Sequence, residues 1–369
     1  MENVIMIAAG GTGGHFYPGF ALGKELKERG HDVVFIIKHG SSNAQLLENN
    51  ELLYQEMDFV SMPRSKNPLK WIKFIWKLFL SIKEMRNLIK SYKPAVCLGM
   101  GGYISFPLVF TAHFMGIKTA VHDSNSVIGL ANKVCSRFTD KFLLGLPVKE
   151  KIKNAELVGT PIREDFNKKS SPEDENYWSI ITDFAVDILI FGGSGGAKAL
   201  NIAAAETVKD LVSKTQKIHF LHITGLRDYE EIKAFYADTP HVEIIPYAED
   251  MHALMKAAHI IVARAGASSL AEIYYMAKPA IIIPFPYASG NHQYYNAKIF
   301  EDKGCIKLIK ESPDLGKDLD NILREMLGNP KLLKEMTENF KKLELPNPLK
   351  AAAKIADITE ELGGFNRHF

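Results

Sequence analysis

Three glycine-rich loops, widely separated along the chain, have the residue types that could bind an anion. They read Gly-Gly-Thr-Gly-Gly-His at residues 10–15, Gly-Met-Gly-Gly-Tyr at residues 99–103 and Gly-Gly-Ser-Gly-Gly-Ala at residues 192–197. Each follows an apolar run, which predicts a strand–loop–helix unit whose backbone N–H groups can approach a phosphate. One such loop is weak support, but three indicate two nucleotide-type domains. The glycines that we expect to bind phosphate are Gly11, Gly101, Gly102, Gly193, Gly195 and Gly196.

Two common nucleotide-binding motifs fit these loops poorly. A dinucleotide-binding motif would read Gly-x-Gly-x-x-Gly, with an acidic residue about 20 positions later. Here the second strand-like run ends in Lys38 and His39, and no acidic residue follows at that point. A P-loop would continue with Gly-Lys and then Ser or Thr, and no such sequence follows the glycines. A dehydrogenase and a P-loop enzyme are therefore disfavoured.

Polar residues in the second half could bind a sugar nucleotide. Residues 263–272 read as a strand end, a tight turn and a helix start, with Glu272 about one turn into the helix. A carboxylate there could accept hydrogen bonds from both ribose hydroxyls. His292, Gln293 and Asn296 form a second polar segment that could bind a hexose. Taken singly, each of these residues is more often an ordinary capping or surface group.

Length and composition predict a folded protein of two domains. The chain has 369 residues, of which 46% are hydrophobic and 24% charged, and this is ordinary for a soluble protein. The three cysteines, Cys97, Cys135 and Cys305, lack metal-ligand or redox spacing, which favours a reducing compartment. No signal peptide and no long uncharged apolar run are evident, so we expect neither a leader nor a membrane span.

A basic, aromatic-rich stretch lies within residues 64–93, where nine Lys or Arg and one Glu give a local charge of +8. Its lysines fall on one side of a predicted helix and its apolar residues on another, which suits an anionic membrane surface. A surface helix packed on its own domain has the same pattern. Nucleic acid is disfavoured because the rest of the chain is acidic. The predicted membrane-binding residues are Lys70, Trp71, Lys73, Phe74 and Lys77.

Strand and helix patterns alternate along the chain, which predicts the α/β class with parallel, doubly wound sheets. The predicted strands cover residues 4–9, 32–37, 95–98, 118–121, 141–144, 186–191, 218–223, 242–246, 259–263 and 280–283. A proline break at 345–348 precedes a last helix, which predicts that the chain returns to the first domain. The predicted domains are residues 1–160 with 346–369, and residues 161–345.

Together these segments resemble the MurG family of peptidoglycan glycosyltransferases, over the whole chain. The resemblance is carried by residues 10–19, 99–105, 159–163, 192–197, 201, 264–272 and 292–297. It implies a GT-B fold, in which two Rossmann-like domains face a cleft, the first for the acceptor and membrane and the second for the UDP-sugar donor. It also implies an inverting enzyme that moves N-acetylglucosamine from UDP-N-acetylglucosamine to the MurNAc 4-hydroxyl of lipid I, undecaprenyl-diphosphate-MurNAc-pentapeptide, giving lipid II. The implied location is peripheral, on the cytoplasmic face of the bacterial cell membrane, with cell-wall assembly proteins as further partners.

The family pattern also implies which residues contact the donor. The diphosphate would lie on the third loop with Arg163 nearby, Glu272 would hold the ribose, and the backbone of Ala248 would meet uracil. The family usually has Gln where this chain has Ser124 and Gly195, so contacts made by those side chains are in question. The full implied donor set is Thr12, Gly13, Gly14, Asn125, Arg163, Ser194, Ala248, Ala267, Ser268, Ser269, Leu270, Ala271, Glu272 and Gln293.

Inverting transfer needs a base for the acceptor hydroxyl and stabilisation of the departing diphosphate. His15 is the first candidate base, because it ends a glycine loop near a helix N-terminus, whose dipole disfavours the imidazolium form. A histidine that only positions the acceptor would fit equally well, and Asp123 is the second candidate base. No Asp-x-Asp motif lies in a plausible loop, so we expect no catalytic metal and no cofactor.

Two alternatives remain at this stage. One is a related transferase that acts on another UDP-sugar or on another lipid or polyketide acceptor. The other is a non-catalytic membrane-docking module, which predicts no UDP affinity and no need for His15 or Glu272. The aromatic stretch at residues 176–181 has no assigned role.

Overall fold

The chain forms two compact units, Met1–Arg163 with Pro346–Phe369, and Glu164–Leu345. The structure is a computed structural model, and it describes residues 3–10, 13–60, 62–63, 67–167, 186–193, 196–214 and 217–365. Several predicted site residues, and the stretch at 176–181, lie outside the described residues. These site residues are Gly11, Thr12, Ser194 and Gly195.

The first unit is built on a seven-stranded parallel sheet with the order β3-β2-β1-β4-β5-β6-β7. Its strands are β1 Val4–Ala8, β2 Asp32–Lys38, β3 Leu53–Met57, β4 Val96–Gly99, β5 Lys118–Asp123, β6 Lys141–Leu144 and β7 Ala155–Leu157. Its helices up to the end of this sheet are α1 Gly13–Glu28, α2 Ala44–Asn49, α3 Pro68–Tyr92, α4 Ser105–Phe114 and α5 Leu130–Cys135. Strand order reverses between β1 and β4, so the loops after these two strands open side by side.

The second unit is built on a six-stranded parallel sheet with the order β10-β9-β8-β11-β12-β13. Its strands are β8 Val186–Phe191, β9 Ile218–Ile223, β10 Val242–Ile245, β11 Ile260–Ala263, β12 Ala280–Ile282 and β13 Ile306–Leu308. Its helices are α6 Lys198–Lys214, α7 Tyr229–Phe235, α8 Met251–Ala257, α9 Ala267–Met276, α10 His292–Glu301, α11 Leu315–Leu327 and α12 Pro330–Lys341. The order reverses between β8 and β11, so the third glycine loop and the start of α9 are neighbours.

The last helix, α13 Pro348–Gly363, belongs to the first unit and packs against α1. Arg29, just after α1, pairs with Asp357 at 2.7 Å and with Glu360 at 2.9 Å. Glu360 also lies 2.9 Å from Nε2 of His31, whose side chain is buried. These contacts fasten α13 to the turn between α1 and β2.

Both sheets have apolar cores on their faces, because their central strands are buried on both sides. The predicted fold class, two parallel and doubly wound α/β domains, is confirmed. No helix in the described ranges combines the length and the apolar character that a membrane span requires.

Candidate active site

The first two glycine loops meet at the ring of His15. His15 lies in the first turn of α1, directly after β1, and the second loop follows the neighbouring strand β4. A Cβ atom placed on Gly101 would lie 2.5 Å from His15 Nδ1, and one placed on Gly102 would lie 3.3 Å from His15 Cδ2. Both glycines have positive φ, +104° and +75°. The imidazole therefore lies directly on the backbone of the second loop.

The amide of Gly101 is already used within the protein, which corrects one prediction. It donates to Oγ of Ser105 at 2.9 Å, and the same hydroxyl lies 2.9 Å from the Gly101 carbonyl oxygen, to which it donates. Ser105 is fully buried at the start of α4. Gly101 was expected to bind phosphate through its N–H, but that group is occupied. The glycine instead leaves room for the His15 ring.

Asp123, at the end of β5, is also committed to the protein. Its Oδ1 accepts from the backbone N–H of Asn125 at 3.0 Å and from Nδ2 of Asn125 at 3.2 Å. Its Oδ2 accepts from the N–H of Gly129 at 2.9 Å and from Nδ2 of Asn132 at 3.0 Å. The carboxylate is buried, and four donors fill its acceptor positions. This geometry argues against Asp123 as the base and assigns it to shaping the loop that carries Asn125.

His122 and Tyr17 connect the segment at 159–163 to the rest of the first unit. His122 Nε2 lies 2.9 Å from the carbonyl oxygen of Gly159, to which it donates, and burial lowers the pKa of His122. At the end of the segment, the Arg163 guanidinium lies 5.8 Å from the ring centroid of Tyr17, two residues after His15 in α1. Helix α1 therefore contacts the second glycine loop through His15, and it contacts Arg163 through Tyr17.

In the second unit, the third loop is fixed to the loop after β9. A Cβ atom on Gly196 would lie 2.8 Å from the carbonyl oxygen of Thr224, so the two loops are in contact. Gly196 was expected to bind phosphate through its N–H, but that group donates to the carbonyl oxygen of Gly193 at 3.0 Å. Asn201 of α6 is buried, and its Nδ2 donates to that same carbonyl and to Asp228, both at 2.9 Å. Gly193, with φ of +88°, has no described atom within 4 Å of its Cβ position.

His222 completes this buried polar network. Its Nε2 lies 3.1 Å from Oδ1 of Asn201, and its Nδ1 lies 3.1 Å from the hydroxyl of Tyr236. Because the Asn201 oxygen only accepts, Nε2 carries the proton and Nδ1 accepts from the tyrosine. Burial lowers the pKa of His222 to about 3, so the ring is neutral.

Arg264 links the ends of three strands next to the third loop. Its guanidinium is buried and donates to the carbonyl oxygens of Ile283 and Pro284 at 3.2 Å and 3.3 Å. It also pairs with Glu311 at 2.5 Å. These contacts fix the turn that leads to α9, whose N-cap is Gly266.

The predicted donor-binding residues of the second unit follow its sheet at the carboxyl edge. Glu272 is buried within α9, and Ala248 is buried after β10. Gln293, in the first turn of α10, accepts from the N–H of Phe285 at 2.9 Å through Oε1, which leaves its NH₂ group as the donor. Five further predicted residues lie in the first half of α9: Ala267, Ser268, Ser269, Leu270 and Ala271.

In the first unit, the predicted residues at the carboxyl edge of the sheet are Gly13, Gly14, His15, Gly101, Gly102, Asp123, Asn125 and Arg163. Ser105, Tyr17 and His222 were not predicted to be site residues. Tyr17 and Ser105 do lie within the segments 10–19 and 99–105 that carry the family resemblance, but no role was predicted for them. In the described ranges, no three or more His, Cys, Asp or Glu side chains are grouped so that they could hold a metal ion.

The exposed apolar side chains of helix α3 extend beyond the two predicted contacts, Trp71 and Phe74. Its buried residues are Ser81, Met85 and Ile89, all in its C-terminal half. The predicted contacts Trp71 and Phe74 are half-buried and pack edge to face, with centroids 6.0 Å apart. The residues that are 57–63% exposed are Ile72, Ile75, Trp76 and Phe79. The predicted lysines are also exposed, namely Lys70, Lys73 and Lys77.

The chain matches both domains of one glycosyltransferase family. The glycosyltransferase family 28 N-terminal domain matches residues 5–144, and the family 28 C-terminal domain matches residues 187–357. A crystal structure of MurG from Acinetobacter baumannii aligns with a TM-score of 0.76 at 26% identity, covering 98% of this chain and 100% of that one. The UDP-GlcNAc 2-epimerase of Neisseria meningitidis aligns with a TM-score of 0.68 at 14% identity, covering 97% of this chain and 100% of that one, and shows the fold alone.

Two curated relatives share one name, UDP-N-acetylglucosamine–N-acetylmuramyl-(pentapeptide) pyrophosphoryl-undecaprenol N-acetylglucosamine transferase. The relative from Elusimicrobium minutum is 44% identical, covering 97% of this chain and 99% of its own length. The relative from Syntrophus aciditrophicus is 35% identical, covering 96% of this chain and 97% of its own length. The chain therefore belongs to the MurG family of N-acetylglucosamine transferases, within glycosyltransferase family 28.

Proposed function

We propose that this enzyme moves N-acetylglucosamine from UDP-N-acetylglucosamine to the MurNAc 4-hydroxyl of lipid I and so produces lipid II. The names of the relatives include this donor and this lipid-linked acceptor, which favours the reaction over transfer to another lipid or to a polyketide. Within the chain itself, the observation that carries the proposal is the position of His15. It lies at the switch point of the first sheet, in the first turn of a helix and against a second glycine loop.

The second unit supplies most of the donor contacts in this proposal. The UDP diphosphate would lie at Gly193 and the N-terminus of α6, where backbone N–H groups and the helix dipole favour an anion. Glu272 would accept hydrogen bonds from the ribose hydroxyls, and the backbone of Ala248 would contact uracil. The NH₂ group of Gln293 would donate to the sugar. The remaining donor contacts implied by the family are Thr12, Gly13, Gly14, Asn125, Arg163, Ser194, Ala267, Ser268, Ser269, Leu270 and Ala271.

The proposed reaction is one in-line displacement. The acceptor oxygen forms a bond to C1 of N-acetylglucosamine while the bond from C1 to the UDP oxygen breaks, so the configuration at C1 inverts. His15 takes the hydroxyl proton, a role worth about 10²–10⁴-fold in rate. The negative charge that develops on UDP is stabilised by the amides at the third loop and by Arg163, which the ring of Tyr17 holds at 5.8 Å.

The proposed location is the cytoplasmic face of the cell membrane, bound through α3. Exposed lysines and exposed apolar side chains share this helix. Anionic headgroups attract the lysines, and the apolar side chains can be buried at the boundary between headgroups and acyl chains. The apolar part is formed by Ile72, Ile75, Trp76 and Phe79 rather than by Trp71 and Phe74, because the latter pair is half-buried. The charged part is formed by Lys70, Lys73 and Lys77.

The test is UDP release from UDP-N-acetylglucosamine, measured with and without a short-chain lipid I analogue. We expect release that depends on the acceptor, a disaccharide product with inverted C1 configuration, and little release from UDP-glucose. Release with an unrelated lipid acceptor but not with the lipid I analogue would support the other transferase. No binding of UDP by calorimetry would support the docking module and refute an enzymatic role.

A further inference from the structure

The second glycine loop lies beneath the catalytic candidate rather than beside an open anion site. We propose that this loop is a seat for the His15 ring, which holds Nδ1 toward the loop and leaves Nε2 to take the acceptor proton. Gly101 and Ser105 are then positioning residues for the transfer reaction. The proposal rests on the proposed function, because it takes His15 as the base.

The contact geometry determines which ring nitrogen can react. A Cβ atom on Gly101 would lie 2.5 Å from Nδ1 of His15 and 2.9 Å from its Cε1, both closer than atoms can pack. At Gly102 the corresponding distances are 3.3 Å to Cδ2 and 3.7 Å to Nε2. The ring thus spans both glycines, and Nδ1 is buried. A substrate hydroxyl cannot reach a buried nitrogen, so Nε2 is the atom that meets the acceptor.

Ser105 and the neighbouring strands β1 and β4 fix the position of the second glycine loop against the His15 ring. The Ser105 hydroxyl bonds both the N–H and the carbonyl oxygen of Gly101, each at 2.9 Å. Ser105 itself packs on β4, since a Cβ atom on Gly99 would lie 2.6 Å from that of Ser105. The N–H of Met100 donates to the carbonyl oxygen of Ala8 at 2.9 Å, which ties the loop to β1. The ring orientation is therefore set by two central strands of the sheet.

The test compares Gly101→Ala with Gly116→Ala. Both glycines have positive φ, +104° and +76°, so alanine strains the backbone at each. Gly116 has no described atom within 4 Å of its Cβ position and lies after α4, so it is the matched control. The measurements are kcat, UDP affinity by calorimetry, and the His15 ring resonance by NMR, identified by its loss in His15→Gln.

We expect Gly101→Ala to lower kcat roughly 10- to 100-fold, the scale of an ångström-level misplacement of a catalytic group. The His15 resonance should shift and UDP affinity should stay unchanged, whereas Gly116→Ala should alter none of the three. Equal losses in both variants, or a fall in UDP affinity with Gly101→Ala, would overturn the proposal. If Gly101→Ala does not fold, Ser105→Ala is measured in the same way, and a normal kcat with an unmoved His15 resonance overturns it.

The two proposals fail in different ways. If His15→Gln keeps wild-type turnover, then His15 is not the base and the proposed mechanism is wrong. The NMR comparison would still report whether Gly101 holds the ring, because it does not depend on turnover. If instead His15→Gln is inactive and Gly101→Ala is fully active, the assignment of His15 as the base is supported. The proposal that the second loop positions its ring is then refuted.

Discussion

Protonation of His222 should destabilise the second unit at acidic pH, and its expected size follows from the structure. The ring is fully buried between Asn201 and Tyr236, which bond its two nitrogens in the neutral form. Burial lowers the pKa of His222 from 6.5 to about 3. The folded state therefore binds fewer protons than the unfolded chain, so stability is complete above about pH 6.5 and falls as the pH decreases toward 3. At pH 5 the free energy of unfolding should be lower than at pH 8 by about 2 kcal/mol from this residue alone.

The assay is urea unfolding at pH 8 and pH 5, combined with hydrogen exchange of peptides that cover β9. Other groups titrate in this range, so the informative quantity is the difference between the wild type and His222→Gln, which cannot gain a proton. His113→Gln, at an exposed position in α4, is the control. After correction for intrinsic exchange, opening of β9 should become roughly 30-fold easier at pH 5 in the wild type but not in His222→Gln. An equal loss of stability in both proteins would refute the assignment to His222.

Three further predictions concern the proposed site and surface. Glu272→Ala should weaken UDP binding by about 1.5–3 kcal/mol, the size of a charge-assisted hydrogen bond, and an unchanged calorimetric Kd would exclude the ribose role. His15→Ala should lower kcat about 10²–10⁴-fold at unchanged UDP affinity, and retention of most turnover would exclude the base role. The triple change of Lys70, Lys73 and Lys77 to Glu should release the protein from anionic vesicles at low salt, since each basic residue contributes about 1 kcal/mol. Activity on a water-soluble acceptor should persist, and sedimentation of the triple variant with the vesicles would argue against membrane binding through α3.

The elements that the sequence predicts best are the buried central strands. The apolar runs at 4–9 and 186–191 correspond to β1 Val4–Ala8 and β8 Val186–Phe191, because strands buried on both faces have continuous apolar sequences. Three of the described strands were missed, and each lies at a sheet edge: β3 and β7 in the first sheet and β13 Ile306–Leu308 in the second. Leu53–Met57 and Ala155–Leu157 are partly exposed and carry polar residues, so neither an apolar run nor an alternation marks them.

The roles of two predicted site residues, Gly101 and Asp123, could not be read from the sequence. The glycine at 101 looks the same in sequence whether a phosphate or a histidine ring needs the missing Cβ. Only the hydrogen bonds to Ser105 show that its amide is occupied. Asp123 likewise looks like a free carboxylate until its four N–H donors are seen. Both residues depend on partners several positions away that form no recognisable motif.

For helix α3, the sequence predicts the pattern of side chains around the helix but not which of them are exposed. Helical spacing correctly separates the lysines from the apolar residues, but it does not show how much of the helix the domain covers. Its fully buried residues, Ser81, Met85 and Ile89, all lie in its C-terminal half. The N-terminal half therefore leaves Trp76 and Phe79 exposed and stacked 6.1 Å apart.

The glycine loops of the two units differ in what their missing side chains make room for. At Gly101 the space is taken by His15, and at Gly196 by the backbone of Thr224. At Gly193 no described atom lies within 4 Å of the Cβ position. Glycine is favoured there because its φ is +88°. A phosphate needs free volume beside the backbone, which the structure shows at Gly193 and not at Gly101. In our proposal, the same residue type thus serves the base in one unit and the leaving diphosphate in the other.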